Sequence, residues 1–434
     1  MSDNSPTPGK NGHRKDIDVS TQMSPIIPGR SGRPSFSLEA LRERVEQQFQ
    51  EETANRPDIL LDLDDEEKRR DLLREVVDYV LAVESISLSE RDKWVLVDMA
   101  YNGLFMFGPL DRYLRDERVT EITVKGPTKI HVRYGLGSMQ LVDAAFEDRI
   151  HLEEMLTRVL ATGQAVLSET EPFLEVGVTL AGRPARLSLI SPPISPDFNL
   201  SLRLHPRVPL TLDDLYHRFN AMQPQAAALL TAILQAGHGL LIVGEVALGK
   251  TTAAGALATA LPTDVPIIAA ERAAELTLPA HITRLSAIPP TPGKPGVDFT
   301  DQIRAALDQR PAWLIIDEIR GDESAAVWEA LTRNNVPRYL WVFRGDPAPD
   351  RLRSALGMVL RKQRPGIDQQ VIDQAILRHL PFVAAFRRIS GLPRLVQIAE
   401  WVPGASADQP PILHPLQIEQ DGVWQNTDHR PMRL

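Results

Sequence analysis

The eight residues from Gly244 to Thr251, GEVALGKT, constrain this chain more than any other segment, because they match the pattern G-x-x-x-x-G-K-[ST]. The apolar run LLIV comes immediately before the motif, and an alanine-rich segment follows it. A strand, a glycine-bounded loop and a helix in that order direct backbone N–H groups and the positive end of a helix dipole toward an anion. The segment therefore predicts a phosphate-binding loop at the end of a buried strand.

The motif also assigns a first set of nucleotide-binding residues. We expect Lys250 to reach the β- and γ-phosphates of ATP, and the Thr251 hydroxyl to hold Mg²⁺. The other nucleotide-binding residues of the loop and the helix start are Gly244, Glu245, Val246, Ala247, Leu248, Gly249 and Thr252. The loop interior contains no glycine, so a left-handed conformation at position 247 or 248 would cost about 1–2 kcal/mol.

A second apolar run, WLII, ends in the adjacent acids Asp317 and Glu318. This pattern predicts a strand whose carboxylates lie beside the phosphate-binding loop. One carboxylate would order Mg²⁺ and its water molecules, and the next would polarise an attacking water. The predicted metal residues are therefore Thr251, Asp317 and Glu318, and the predicted catalytic residues include Lys250 and Glu318.

Hydrophobic periodicity divides the chain into consecutive parts. Apolar residues at three- and four-residue spacing indicate helices, short alternating runs indicate a mostly antiparallel sheet, and continuous apolar strands alternating with helices indicate a parallel sheet covered on both faces. The predicted parts are a disordered leader at 1–36, a helical bundle at 37–103, an α/β N-terminal domain at 104–206, a linker at 207–214, a parallel α/β domain at 215–402 and an irregular proline-rich tail at 403–434.

Composition excludes several classes of protein. The chain has 48 basic and 57 acidic residues, so its net charge of −9 argues against a nucleic acid as its main partner. It has no cysteine, which excludes disulfides and thiolate chemistry. No segment has the apolar core of a secretory signal or the roughly 20 apolar residues of a membrane span, so we expect a cytoplasmic location. The paired arginines Arg387 and Arg388 are interpreted as part of a solvated surface.

Segments on both sides of the linker resemble a known family. GPL at 108–110, VTEI at 119–122, KGP at 125–127 and IRG at 319–321 are similar to motifs of the type II/type IV secretion traffic ATPases, specifically the branch serving Flp (tight-adherence) pili. The resemblance extends over roughly 104–401. It implies a RecA-like P-loop NTPase domain, a hexameric ring, and a position at the cytoplasmic face of an inner-membrane pilus or secretion platform, with peripheral attachment through partners.

The resemblance further implies roles for residues outside the loop. Arg186 and Arg203 stand where the family has arginines that face the nucleotide, and each would contact either phosphate or a structural carboxylate. Glu271 keeps an acid of the family's Asp box and is assigned to nucleotide binding, whereas Arg272 replaces the aspartate of that box. Both histidines of the His box are absent. Arg344 stands at the second, and is either a catalytic arginine that stabilises the transition state or a surface arginine.

Two functions follow from these observations. The first is an ATP-hydrolysing motor that converts nucleotide-driven domain closure into work on a membrane platform. The alternative is a nucleotide-binding assembly subunit with weak or no hydrolysis, because the Asp box is altered and the His box is lost. A DNA-translocating ATPase would share the loop and the acidic strand, but the acidic net charge and the N-terminal resemblance count against it.

Overall fold

The computed structural model describes residues 37–55, 66–333, 337–406, 409–420 and 422–434. The chain divides into two compact units, one ending at Phe107 and the other beginning at Gly108. The predicted disordered leader at 1–36 lies outside the described residues. None of the described helices is both long enough and apolar enough to cross a lipid bilayer.

The first unit consists of helices α1 (Leu38–Asn55), α2 (Glu66–Val83) and α3 (Glu90–Phe105). Ser89 caps α3 by accepting a hydrogen bond from the Asp92 amide, which satisfies one free N–H at the helix start. The apolar positions at helical spacing form one core, made of Leu41, Val45, Phe49, Leu73, Val76, Val77, Val80, Leu81, Leu96, Val97, Ala100 and Tyr101. The predicted helical bundle is confirmed.

The second unit opens with a six-stranded antiparallel sheet in the order β3-β2-β1-β6-β5-β4. Its strands are β1 (Val119–Lys125), β2 (Lys129–Tyr134), β3 (Met139–Leu141), β4 (Phe173–Leu180), β5 (Arg183–Ile190) and β6 (Asn199–Leu204), preceded by α4 (Asp111–Arg115) and interrupted by α5 (Arg149–Thr162). Burial alternates along β5 and β6, because successive side chains of a strand point to opposite faces.

A nine-stranded sheet follows, in the order β15-β14-β13-β12-β7-β11-β10-β8-β9; its last three strands along the chain are β13 (Leu392–Val402), β14 (Ile412–Gln420) and β15 (Val423–Asn426). Its first elements are α6 (Leu212–His217), α7 (Pro224–Gln235), β7 (Leu240–Gly244), α8 (Lys250–Ala258), β8 (Ile267–Glu271), β9 (Thr283–Ser286), α9 (Phe299–Asp308), β10 (Trp313–Ile319), α10 (Ser324–Thr332), β11 (Arg338–Arg344), α11 (Pro349–Arg361), α12 (Gln369–His379) and β12 (Phe382–Ile389). Strands β12, β7, β11, β10, β8 and β9 pair in parallel.

Strand β7 lies in the middle of this sheet and is buried on both faces. Leu241 and Val243 pack into one hydrophobic core, and Leu240 and Ile242 pack into the other. Each face is covered by helices, so the strand is a continuous apolar run rather than an alternating one. The predicted parallel sheet covered on both faces is confirmed, and its RecA-like arrangement places the phosphate-binding motif at the end of a central strand.

Two of the predicted boundaries differ from the structure. Helix α6 begins at Leu212, inside the predicted linker 207–214, because Thr211 and Asp214 form a capping box at its start. The tail at 403–434 is not irregular: β13 (Leu392–Val402) is followed by β14 (Ile412–Gln420) and β15 (Val423–Asn426), which extend the sheet antiparallel. Pro415 is tolerated in β14 because the pairing register shifts at its partner.

The end of the chain is attached to the sheet through a buried carboxylate. Glu400 on β13 is fully buried and accepts hydrogen bonds from the Met432 amide at 2.8 Å and from Arg433 Nη1 at 2.7 Å. Arg433 also donates to the Trp401 carbonyl at 2.9 Å. A buried charge is stable only where it is paired, so the last residues complete the core of the sheet.

Arg433→Ala should therefore lower the free energy of unfolding by about 2–4 kcal/mol, since it leaves the Glu400 carboxylate buried with fewer partners. Tryptophan fluorescence during urea unfolding reports this, because five of the six tryptophans lie in the second unit. Arg430→Ala is the matched control, since Arg430 is exposed. Equal stability of the two variants would contradict the prediction.

Candidate functional site

The local backbone explains why glycine occupies both glycine positions of the phosphate-binding motif, Gly244 and Gly249. A Cβ at Gly244 would lie 2.7 Å from the Phe386 carbonyl oxygen, so no side chain fits there. Gly249 precedes α8 in a left-handed conformation, with φ +70° and ψ +20°, which glycine adopts without steric cost. β7 ends at Gly244 and α8 begins at Lys250, as the sequence predicts.

The loop interior contains one strained residue, Ala247. Its φ is +59°, in the left-handed region, which costs an alanine about 1–2 kcal/mol. The sequence identified positions 247 and 248 as the places where such strain would arise, and the structure has it at 247. On either side, Val246 and Glu245 are exposed, whereas Leu248 is buried in the core beneath the loop.

Lys250 is held inside the loop. Its side chain is 6% exposed, and Nζ donates a hydrogen bond to the Glu245 carbonyl at 2.6 Å. Burial lowers its pKa, an effect that the carboxylates of Glu318 and Asp317 oppose and the positive charges of Arg203 and Arg344 increase. A lysine in this position is oriented toward whatever anion the loop binds.

Thr251 and Asp317 meet beside the loop. The Thr251 hydroxyl donates to Asp317 Oδ1 at 3.1 Å, which joins the start of α8 to the end of β10. Asp317 is 7% exposed, and burial together with the nearby carboxylates of Glu275 and Glu271 raises its pKa well above the usual range. A cation at this point would relieve that repulsion.

The described residues contain no group of three His, Cys, Asp or Glu side chains that would hold a metal through protein ligands alone. Mg²⁺ commonly takes one or two protein ligands and completes its shell with water and phosphate. The Thr251 hydroxyl and the Asp317 carboxylate fit that mode of binding. A metal role for Glu318 stays a prediction.

Glu318 lies at an irregularity of β10. The pairing of β10 with β11 shifts register between Ile316 and Ile319, and Glu318 has φ +44°. Bulges of this kind redirect side chains next to active sites. The Glu318 side chain is 24% exposed, and Arg320 Nη2 lies 3.5 Å from its carboxylate. It is therefore accessible to water, whereas Asp317 next to it is buried.

Glu271, at the end of β8, contacts the loop that follows this strand. Its side chain is fully buried, accepts the Leu276 amide at 2.8 Å and pairs with Arg284 Nε at 2.6 Å. Burial raises its pKa to about 7, against the effect of the Arg284 charge. In this structure Glu271 fixes the path of residues 271–276, and its assignment to nucleotide binding stays a prediction.

The antiparallel sheet packs directly on residues 271–276. A Cβ at Gly177 of β4 would lie 2.6 Å from the Ala273 carbonyl, so the two backbones are in close contact. Arg186 of β5 pairs with the buried Glu275 carboxylate at 2.7 Å. The sequence left open whether Arg186 contacts phosphate or a structural carboxylate, and in the structure it contacts a carboxylate.

Arg203 and Arg344 differ from Arg186 in making no direct ion pair within the described residues, although the charge of Arg203 opposes the effect of burial, which raises the pKa of Glu275. Within the described residues, no ion pair or hydrogen bond of either guanidinium is present, yet both act electrostatically on Lys250. Arg344 is exposed at the end of β11, and Arg203 is partly buried on β6. Two positive charges near the loop favour an anionic ligand.

Arg272, which the sequence resemblance predicts to stand in place of the Asp-box aspartate, has an ionic partner of its own. Its Nη2 donates to the fully buried Glu323 carboxylate, and its guanidinium lies 4.7 Å from the centre of the Phe299 ring. Glu323 also accepts the amides of Arg320, at 2.6 Å, and Gly321, at 3.1 Å. The pair therefore joins the loop after β8 to the loop that follows Glu318.

Sequence reasoning did not identify two contributors to the site. Glu323 is one, and its sequence context does not distinguish it from a surface acid. Arg388 is the other: it is exposed, as expected, but its Nη2 also donates to the Ala247 carbonyl inside the phosphate-binding loop at 3.1 Å. No local pattern reveals either contact, because both partners are distant in sequence.

Comparison with known proteins decides the family. The family model described as type II/IV secretion system protein matches residues 106–333, more than half of the chain. The chain belongs to this family. The resemblance seen in the sequence is thereby confirmed at the level of the family, and the Flp branch stays a prediction.

Individual relatives are distant. The chain is 27% identical over 307 residues to an uncharacterized protein of Methanocaldococcus jannaschii, covering 66% of this chain and 55% of that protein. It thus spans about half the length of that relative. A Mycobacterium tuberculosis protein named for conjugal transfer is 26% identical over 322 residues, covering 69% of this chain and 90% of its own length.

Among solved structures, the pilus retraction motor PilT with bound ADP has a TM-score of 0.50 and 15% identity. The match covers 70% of this chain and 84% of PilT. At this identity the likeness shows the fold alone, which agrees with the predicted RecA-like domain preceded by an α/β domain.

A buried histidine lies between the two sheets of the second unit. His205 follows β6 and lines a small cavity with Thr252, Glu275 and Thr277. Burial, reinforced by the charges of Arg203 and Arg186, lowers its pKa from 6.5 to about 3. His205 Nε2 lies 4.0 Å from the Glu275 carboxylate, a contact that does not overcome this effect.

His205 should make the protein less stable in acid. Between pH 6.5 and 3 the unfolded chain binds a proton that the folded state does not, so stability falls as the pH is lowered through this range. Between pH 7.5 and 5, the wild type should lose about 1–2 kcal/mol more unfolding free energy than His205→Gln. Equal slopes for the wild type and His205→Gln would refute the prediction.

An aspartate at position 272 should destabilise the fold. Arg272→Asp would place a second carboxylate beside the fully buried Glu323, so we expect the unfolding free energy to fall by more than about 3 kcal/mol. Denaturant unfolding measures the change. Arg430→Asp makes the same charge change at an exposed position and should lie within about 0.5 kcal/mol of the wild type. A stable Arg272→Asp variant would contradict this account of the pair.

Proposed function

We propose that this protein binds and hydrolyses ATP with Mg²⁺ and serves as the motor of a type II/IV secretion or Flp pilus assembly system. The observation that carries the proposal is the contact of Thr251 with Asp317 beside the buried Lys250. A hydroxyl, a carboxylate and an ammonium group at the end of a central parallel strand form the arrangement that MgATP requires.

Each side chain has a chemical task in this proposal. The loop amides and Lys250 hold the β- and γ-phosphates, and Thr251 with Asp317 would hold Mg²⁺. Bound Mg²⁺ supplies charge neutralisation of the phosphate oxygens. Glu318, partly exposed at its bulge, orients and polarises the attacking water.

Two arginines would stabilise the negative charge that develops on the phosphoryl group during hydrolysis. The N–H groups of a guanidinium match the oxygens of a phosphoryl group in geometry. The electrostatic attraction between them is stronger in a site that excludes water. Arg344 on β11 and Arg203 on β6 approach the loop from the two sheets, and each would contact phosphate. Arg186 is held by Glu275, and a bound nucleotide would compete with that carboxylate for it.

Such competition would link hydrolysis to movement of the antiparallel sheet. That sheet is attached through Arg186 to Glu275 and through Arg320 to Glu175 at 3.4 Å, both near the site. Binding of the γ-phosphate would change these pairs and close the cleft. We further propose a hexameric ring at the cytoplasmic face of an inner-membrane platform, peripheral through its partners and without a nucleic acid partner; the retraction motor PilT supports a pilus role by analogy.

One observation favours a second function, that of an assembly subunit that binds nucleotide with little or no turnover. Arg344 stands where the family has a histidine, and a guanidinium donates hydrogen bonds but does not accept a proton. Both functions require nucleotide binding, but only the motor requires rapid turnover of ATP.

Steady-state phosphate release separates them. For a motor, Glu318→Gln should lower turnover by about 10²–10⁴-fold with nucleotide affinity within about 3-fold of the wild type. Lys250→Ala should weaken Mg-ADP binding by at least about 10-fold, because its ammonium group contacts the phosphates. Lys294→Ala removes an exposed lysine and serves as control.

Tight nucleotide binding with wild-type release no faster than in Glu318→Gln would favour the assembly subunit. No binding of ATP or ADP by the wild type would refute both functions. Oligomer mass, measured with and without Mg-ADP on the same samples, tests the proposed hexamer.

A further inference from the structure

The phosphate-binding loop adjoins the hairpin that connects β12 and β13. At one end of the loop, a Cβ added to Gly244 would lie 2.7 Å from the Phe386 carbonyl oxygen, and in its middle Arg388 donates to the Ala247 carbonyl. Arg388 Nη1 donates in addition to Gly391 in the hairpin turn, at 2.8 Å. A single guanidinium therefore bridges the turn and the loop.

The bonded carbonyl belongs to the strained residue of the loop. Ala247 is left-handed at φ +59°, a conformation that an alanine leaves unless its surroundings hold it. A glycine at this position would adopt the same conformation without steric cost. The loop therefore needs a contact from outside to hold this conformation, and Arg388 supplies a hydrogen bond to Ala247.

The geometry of the peptide group explains what the contact achieves. The Ala247 carbonyl and the Leu248 N–H belong to one planar trans peptide and point in opposite directions. The Arg388 guanidinium draws the Ala247 carbonyl toward the hairpin. The Leu248 N–H is thereby turned away from the hairpin and into the loop. Inward-facing amides are what such a loop offers to phosphate.

We propose that Arg388 is a positioning residue for nucleotide binding, which holds the strained Ala247 peptide in the orientation that receives phosphate. The proposal rests on the proposed function of the loop. Arg388 acts through the loop backbone and need not touch the nucleotide.

The neighbouring arginine provides a matched control. Arg387 Nη2 lies 3.7 Å from Asp346, is exposed like Arg388, and has no hydrogen bond to the loop within the described residues. Arg387→Ala and Arg388→Ala remove the same charge from the same hairpin. A difference in nucleotide affinity between the two variants therefore reports the hydrogen bond to Ala247 and not the loss of one positive charge near the loop.

The test uses the full chain and titration with a fluorescent N-methylanthraniloyl ADP in Mg²⁺ buffer. Arg388→Ala should raise the dissociation constant by about 5- to 30-fold, because the competent loop conformation is then a minor population. Arg387→Ala should stay within about 2-fold of the wild type. Arg388→Lys, which still donates to the carbonyl, should lose less affinity than Arg388→Ala.

A second substitution tests the strain itself. Ala247→Gly makes the left-handed conformation accessible without a holding contact, so Arg388→Ala should cost much less affinity in that background. Equal losses in both backgrounds, or equal effects of Arg387→Ala and Arg388→Ala, would overturn the proposal.

Hydrogen–deuterium exchange without nucleotide separates failure of this proposal from failure of the proposed function. Exchange of the peptide containing 244–250 should be faster in Arg388→Ala than in Arg387→Ala, because the loop opens more often. If the wild type binds no nucleotide, the proposed function fails, and the exchange result still decides whether Arg388 holds the loop.

Discussion

The site depends on the parallel order of four central strands. Parallel strands end at the same edge of a sheet, and here β12, β7, β11 and β10 are neighbours. Their carboxyl ends carry Arg388, the phosphate-binding loop, Arg344, and the pair Asp317 and Glu318. Ligands of open α/β sheets bind at this edge. That order brings Thr251 next to Asp317 and Arg388 next to Ala247.

Buried carboxylates, each paired with an arginine of another segment, hold the surrounding loops. Glu271 pairs with Arg284, Glu275 with Arg186, and Glu323 with Arg272. An isolated buried charge is costly, so each pair fixes the two segments it joins. Arg272 illustrates this: its guanidinium pairs with a buried acid that lies 51 residues further along the chain.

The local features of the site were predictable, because their causes are local. Apolar runs, motif glycines and terminal acids specify β7, the loop and β10, and the possible strain at 247 followed from a loop interior without glycine. The tail was interpreted incorrectly, since its prolines obscured two strands that form only by pairing with β13 and burying Leu413, Leu416 and Trp424. Arg388 and Glu323 were missed because their partners lie far away along the chain.

By itself, the amino-acid sequence determined the phosphate-binding loop, the acidic strand end, the parallel sheet and the family. Each depends on the order of neighbouring residues, through steric limits on the backbone and the period of side-chain burial. Only the tertiary structure decided which arginine is paired and which is not, that Ala247 bears the strain, and that a distant hairpin holds it. Those outcomes depend on which segments meet in space, a property that local periodicity does not contain.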